Sequence, residues 1–462
     1  MTADADGGAS EAPVLDTDAL LDDPGIRIVV CCGSGGVGKT TTAAALGVRA
    51  AERGRKVVVL TIDPARRLAQ SMGIDSLDNV PRRVKGIEAT GSGELHAMML
   101  DMKRTFDEIV EAHADGDRAR AILENPFYQS LSAGFAGTQE YMAMEKLGQL
   151  RARDEWDLII VDTPPSRSAL DFLDAPKRLG SFLDGKFIKL LMAPAKMGGR
   201  AGMKFLNVGM SMMTGTLGKL LGGQFLRDVQ TFVAAMDTMF GGFRTRADAT
   251  YRLLQAPGTA FLVVATPERD ALREAAYFVE RLAAEDMPLA GLVLNRVHGS
   301  DAARLSAESA LAAADRLDGA ENLETDGIVD QGAGKAGLRE PAESPAAGSA
   351  PTEHPTGAAS PEPSEHASEH DPDDAVDPGE GTPATASADP TVEQLTAGLL
   401  RLHAERMQVV ARELRTRDRF TALHPEVAVT AVAALPGDVH DLAGLRAIGD
   451  RLATGSAPAG AA

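Results

Sequence analysis

The sequence predicts an α/β fold: a doubly wound, mostly parallel sheet with an α-helical subdomain. Two observations carry this. Short apolar runs rich in β-branched residues recur along the chain and alternate with segments of helical periodicity. Runs that are apolar throughout belong to strands covered by helices on both faces. The first run, residues 26–32, opens directly into Gly33-Ser34-Gly35-Gly36-Val37-Gly38-Lys39-Thr40-Thr41 and then a helical pattern. That segment fits G-x-x-x-x-G-K-[ST]. Strand, glycine-rich loop and helix follow in the order a phosphate-binding loop requires, which narrows the class to a P-loop NTPase.

In chain order, residues 1–24 are rich in Ala, Asp and Gly and read as a disordered acidic arm. Residues 25–325 and 391–455 read as one nucleotide-hydrolysing domain. Its strands are expected at residues 26–32, 56–62, 95–101, 156–162, 259–266, 290–295 and 428–434. Its clearest helices are expected at 39–53, 269–284 and 392–415. Asp63-Pro64 and Leu435-Pro436-Gly437 end two of the strands, because Pro cannot continue a ladder.

Two stretches break this rhythm. Residues 177–255 read as a Met-rich α-helical subdomain; eight of the 17 methionines lie between 176 and 250. Phe225, Val229, Phe232, Met236, Met239 and Phe243 recur at steps of three and four, one face of a helix. Flexible, polarizable methionine suits a surface that accepts varied apolar partners. A helical cap packed against itself and a peripheral membrane-surface helix are the other readings, the latter disfavoured by the scarcity of Lys and Arg. Residues 326–390 read as a disordered acidic insertion. From 341 to 390 there are eleven Asp and Glu and no Lys or Arg, so this tract supplies most of the net charge of −19. Such a tract cannot bury enough apolar surface to fold. Residues 456–462 read as a disordered tail.

The negative charge argues against nucleic acid as a partner. The two cysteines, Cys31 and Cys32, are adjacent on a strand, point to opposite faces and cannot pair with each other. No C-x-x-C supports a zinc site. The start of the chain lacks a signal pattern, and no run of uncharged apolar residues is long enough to span a membrane. A cytoplasmic location is expected.

The loop glycines let the backbone turn its N–H groups toward phosphate oxygens. Lys39 would reach the β- and γ-phosphates, and the Thr40 hydroxyl would hold Mg²⁺. The following helix presents its positive end to the same phosphates. Asp162 ends an apolar strand, where a carboxylate sharing the metal with Thr40 belongs; a turn or N-cap aspartate is the other reading. Asp63 ends the second strand at the same sheet edge, where it could orient or deprotonate an attacking water. Asp-Pro is also a common turn.

Gly-Gly-Val-Gly-Lys-Thr-Thr-Thr, Thr61-Ile62-Asp63-Pro64-Ala65 and Asp162-Thr163-Pro164-Pro165 together resemble the deviant-Walker-A ATPases. More narrowly, the chain resembles the arsenite-pump (ArsA-like) group, which includes ATPases that target tail-anchored membrane proteins. The resemblance covers most of residues 25–320 and the end from about 392. It implies ATP and Mg²⁺ as cofactors, a nucleotide-switched dimer, and a membrane-protein or other apolar client. It implies that Asp63 carries the water in a first switch loop and that a second switch follows Asp162. It places Asn295 against the adenine, Pro436 in the loop covering the base, and Glu268 near the ribose. The family's signature lysine is absent: Ser34 stands in its place. In relatives that lysine crosses to the partner's nucleotide, so the departure implies a heterodimer with a lysine-bearing ArsA-like paralogue. Alternatives are the energising subunit of an anion or metalloid export pump, or a weakly hydrolysing nucleotide-binding partner subunit.

Overall fold

The computed structural model describes residues 13–62, 67–88, 91–126, 128–129, 138–164, 232, 242, 245–326 and 391–455. Its strands are β1 (Ile28–Cys32), β2 (Lys56–Thr61), β3 (Arg82–Arg83), β4 (Glu94–Met99), β5 (Leu158–Asp162), β6 (Thr259–Ala265), β7 (Leu289–Val297) and β8 (Val429–Ala433). They form one sheet in the order β3-β4-β2-β5-β1-β6-β7-β8. Every neighbouring pair is parallel except β3 with β4. The predicted α/β class is therefore the observed one. The two-residue β3 has no apolar signal in the sequence; it is a pair of exposed arginines at the sheet edge.

The helices are α1 (Thr17–Asp22), α2 (Lys39–Glu52), α3 (Arg67–Ser71), α4 (Met102–His113), α5 (Gly116–Leu123), α6 (Thr138–Arg153), α7 (Arg269–Ala284), α8 (Ala307–Asp326), α9 (Val392–Leu423) and α10 (Leu442–Thr454). The last strand thus follows a helix eight residues longer than the expected 392–415. Residues 1–309 and 402–462 form one compact unit, which holds the whole sheet, and residues 310–401 form another. In the second unit Ala310, Ala314 and Ala397 are buried, and Arg401 pairs with Asp318.

Side-chain alternation divides the sheet's apolar residues between two cores. Ile28, Val30, Cys32, Ile159, Val161 and Val263 face one, with residues of α6 and α7. Val29, Cys31, Ile160, Leu262 and Val264 face the other, with residues of α2 and α10. Cys31 and Cys32 are free and buried on opposite faces.

The expected acidic arm needs correction at its inner end. Residues 1–12 lie outside the described residues, but Thr17–Asp22 is helix α1. Asp16 caps it by accepting from Ala19 N at 2.9 Å. Leu15 and Leu21 are buried, and Asp18 pairs with Arg49 of α2 at 2.5 Å. The arginines lower the Asp18 pKa, chiefly through the hydrogen bond from Arg49. Composition alone made this segment look unfoldable. Two leucines and an arginine row on a distant helix supply what it lacks.

Most of the Met-rich stretch and all of 327–390 lie outside the described residues. Phe232, one member of the proposed apolar face, is buried and stacks on Tyr128 with ring centroids 6.0 Å apart. Residues 245–255 are helical. No helix among the described residues is long and apolar enough to cross a membrane.

Candidate functional site

The site forms where β1, β2 and β5, the central strands, end together. Gly33 leaves β1 with φ of 147°, so close to β6 that a Cβ there would overlap the Val264 carbonyl oxygen. Only glycine lets the chain turn at this point. Gly38, at φ 96°, is the N-cap of α2 and supplies no side-chain cap. A Cβ on it would run into the Asn295 amide. The first N–H groups of α2 therefore meet the loop's concave side without a capping side chain.

Two of the loop's carbonyls have side-chain donors. Lys39, almost fully buried, donates from Nζ to Ser34 O at 2.7 Å. Asn295 Nδ2 donates to Val37 O at 2.8 Å. Carbonyls held in this way are fixed in place, and a loop of this kind binds phosphate through its N–H groups.

Asp162 is fully buried at the end of β5. Its register partners are Cys31 on β1 and Thr61 on β2. Its Oδ2 accepts from the Thr40 hydroxyl at 2.7 Å and from the Thr61 hydroxyl at 2.9 Å. The Thr163 hydroxyl donates to Cys31 O at 2.9 Å, locking β5 to β1 just beyond the carboxylate. A hydroxyl and a carboxylate are hard oxygen donors, the set Mg²⁺ prefers. The residues present therefore fit Mg²⁺ together with a phosphate held by the loop.

Asp63 lies outside the described residues. The chain leading to it is fixed: Ile62 N donates to Asp162 O at 3.0 Å, and Ile62 O accepts from Gln139 Nε2 at 2.8 Å. Pro436 is exposed just beyond β8, and Glu268 is the exposed N-cap residue of α7. Asn295 contacts the phosphate loop itself. Gly33, Ser34, Gly35, Gly36, Val37, Gly38, Lys39, Thr40, Thr41, Asp162 and Asn295 are thus brought together, whereas among the described residues no hydrogen bond ties Pro436 to them.

Gln139, Thr61 and Thr163 also bond residues of the site, and beyond Asn295 the chain continues through Arg296, whose N donates to Asn295 Oδ1, to His298, which meets Glu413. Thr61 and Thr163 could have been found by their position beside the two strand-ending aspartates. Gln139 and Glu413 sit in helices with no local signal, 77 and 115 residues from their partners.

Burial raises the thiol pKa of both cysteines, that of Cys32 to about 12. For Cys31 the nearby Asp162 carboxylate adds to the effect of burial.

A family model described as "Anion-transporting ATPase" matches residues 26–309, more than half of the chain. Among curated proteins, the ATPase GET3 of Malassezia globosa is 29% identical over 160 residues, 35% of this chain and 45% of that protein. The ATPase GET3 of Podospora anserina is 27% identical over 299 residues, 63% of this chain and 78% of its own length. That of Ajellomyces dermatitidis is 26% identical over 299 residues, 64% and 80%. The chain thus spans less than half of the first relative and about four-fifths of the other two. The matched region begins just before β1 and contains the loop, Asp162 and Asn295. ATP with Mg²⁺ is the cofactor pair of such enzymes. This chain belongs to the anion-transporting ATPase family.

Proposed function

We propose that the chain is a nucleotide-switched dimeric ATPase that acts on a membrane-protein or other apolar client. The observation that carries the site is the Thr40–Asp162 hydrogen bond at 2.7 Å, which ties the phosphate loop to the end of β5. In this reading residues 33–41 bind the phosphates, with Lys39 leaving Ser34 O to reach the β- and γ-oxygens. Thr40 and Asp162 hold Mg²⁺. Bound there, the metal neutralises charge on the phosphate oxygens. Asp63, which directly follows the anchored Ile62, orients the water. Asn295 and Pro436 flank the base.

Lys39→Ala should weaken ATP binding by roughly 10- to 100-fold, the scale of a lost charge-assisted hydrogen bond. Titration calorimetry with ATP checks this, and wild-type affinity would remove the site assignment. Asp63→Asn should bind ATP normally and hydrolyse it about 10²-fold more slowly or worse.

The client reading rests on the family and on the methionine content of residues 176–250, where Met236 and Met239 lie outside the described residues. Photocrosslinking of an apolar peptide to the ATP-bound protein tests it. The metalloid-pump alternative needs exposed thiolates, and both cysteines are buried with raised pKa.

Ser34 supports a heterodimer with a lysine-bearing paralogue. A charge supplied in trans is worth about 10³–10⁵ in rate, and two copies of this chain would lack it at both sites. Ser34→Lys should raise turnover of the isolated protein. Vigorous turnover by the unmodified protein, with no gain from Ser34→Lys, would count against the heterodimer.

A further inference from the structure

A phosphate loop that turns its N–H groups inward must find partners for its outward carbonyls, because buried backbone oxygens are rarely left without one. For Val37 that partner is Asn295 Nδ2, at 2.8 Å. Asn295 reaches the loop at a break in β7. Arg296 has φ of 60°, and the pairing of β7 with β8 shifts register between Asn295 and Val297. Asn295 Oδ1 accepts from Arg296 N at 3.0 Å, so the same side chain spans the bulge and props the loop. A left-handed conformation at arginine persists only where its surroundings hold it.

The hold is on the downstream side. Glu413, on α9, has a side chain only 14% exposed. It accepts from His298 N at 2.9 Å, and its other oxygen lies 2.6 Å from His298 Nδ1. On the same helix, Arg406 Nε donates to Gly299 O at 2.5 Å. The backbone just past the bulge is therefore held by α9 as well as by β8, whose neighbour Ala434 donates to Val297 O at 3.0 Å, and the carboxylate on α9 that holds it is Glu413.

We propose that Glu413 is a positioning residue for nucleotide binding. By gripping His298 through backbone and ring, it pins the Arg296 bulge. The bulge aims Asn295 at the Val37 carbonyl, and the loop keeps its phosphate-binding shape. The proposal rests on the nucleotide site described above.

The test is ADP affinity by titration calorimetry, with kcat at saturating ATP and thermal melts on the same samples. Glu413→Ala should weaken ADP binding about 10-fold, the cost of one lost strut hydrogen bond, and raise the KM for ATP while moving kcat less than about threefold. Glu413→Gln keeps an acceptor for His298 N, and its amide donates to the ring in the other tautomer. It should bind ADP within about threefold of wild type. Arg296→Gly lowers the cost of the left-handed backbone, so adding it to Glu413→Ala should recover affinity, which a general packing defect at Glu413 would not allow. Wild-type ADP binding by folded Glu413→Ala overturns the proposal, as does a loss that neither Glu413→Gln nor Arg296→Gly relieves. If Glu413→Ala does not fold, Glu413→Met, which has nearly the same length and no carboxylate to accept from His298, takes its place, and unchanged ADP affinity there overturns the proposal equally. Lys39→Ala separates the two levels. Lost binding with Lys39→Ala but not Glu413→Ala removes only the positioning role, whereas normal binding with Lys39→Ala removes the site.

Discussion

A carboxylate fully buried at a sheet edge must be matched by donors, and Asp162 receives hydroxyls from Thr40 and Thr61 on two different elements. The place of Asp162 was legible because an aspartate closing an apolar strand beside a phosphate loop is where a carboxylate sharing a metal with Thr40 belongs, although a turn or N-cap aspartate reads the same way. Its second donor was not, since nothing local says that β2 lies beside β5. The cysteines next to it give a residue-scale prediction. Both thiols are buried with pKa raised by desolvation, and the thiolate is the reactive form. An aromatic disulfide reagent at pH 8 should label neither in the folded protein and both in denaturant. Prompt native labelling would show that the sheet opens around β1 far more readily than its packing implies.

At the scale of elements, packing decides where glycine is required. Gly47 lies on α2 against the sheet, and a Cβ there would sit 2.6 Å from Val59 Cγ2, a buried methyl. Gly398 lies on α9 with nothing within 4 Å. Alanine gains about 1 kcal/mol of helix propensity over glycine at either place, while overpacking a core costs about 1–3 kcal/mol. Gly398→Ala should therefore raise the melting temperature and Gly47→Ala should lower it, as calorimetric melts of the two variants will show. Both glycines look alike in the sequence, as mid-helix residues in Ala- and Leu-rich surroundings. The bulge at Arg296 was equally hidden, because no Gly or Asn marks the left-handed position.

At the scale of the whole molecule, the composition of residues 341–388 predicts a solvated tract that adds little to the fold. Its removal should shift the melting temperature by no more than about 2 °C, the usual limit for changes away from packed contacts. ATP turnover should stay at the wild-type level. A large drop in either would mean that the tract docks on the ATPase body.

The sequence by itself determined the class of sheet and the phosphate loop. These depend on local physics: a β-branched run, glycines where the backbone must turn, and a lysine and threonine at fixed offsets. Only the tertiary structure decided the strand order, the docking of α1 and the company that Asn295 keeps. Each of those rests on groups brought together from far along the chain: Asp18 with Arg49, Asn295 with Val37, Glu413 with His298. Local propensity carries no information about which distant donor will meet which acceptor. That is settled when helices bury their apolar faces on the two sides of the sheet and the polar groups at its edge must find partners there.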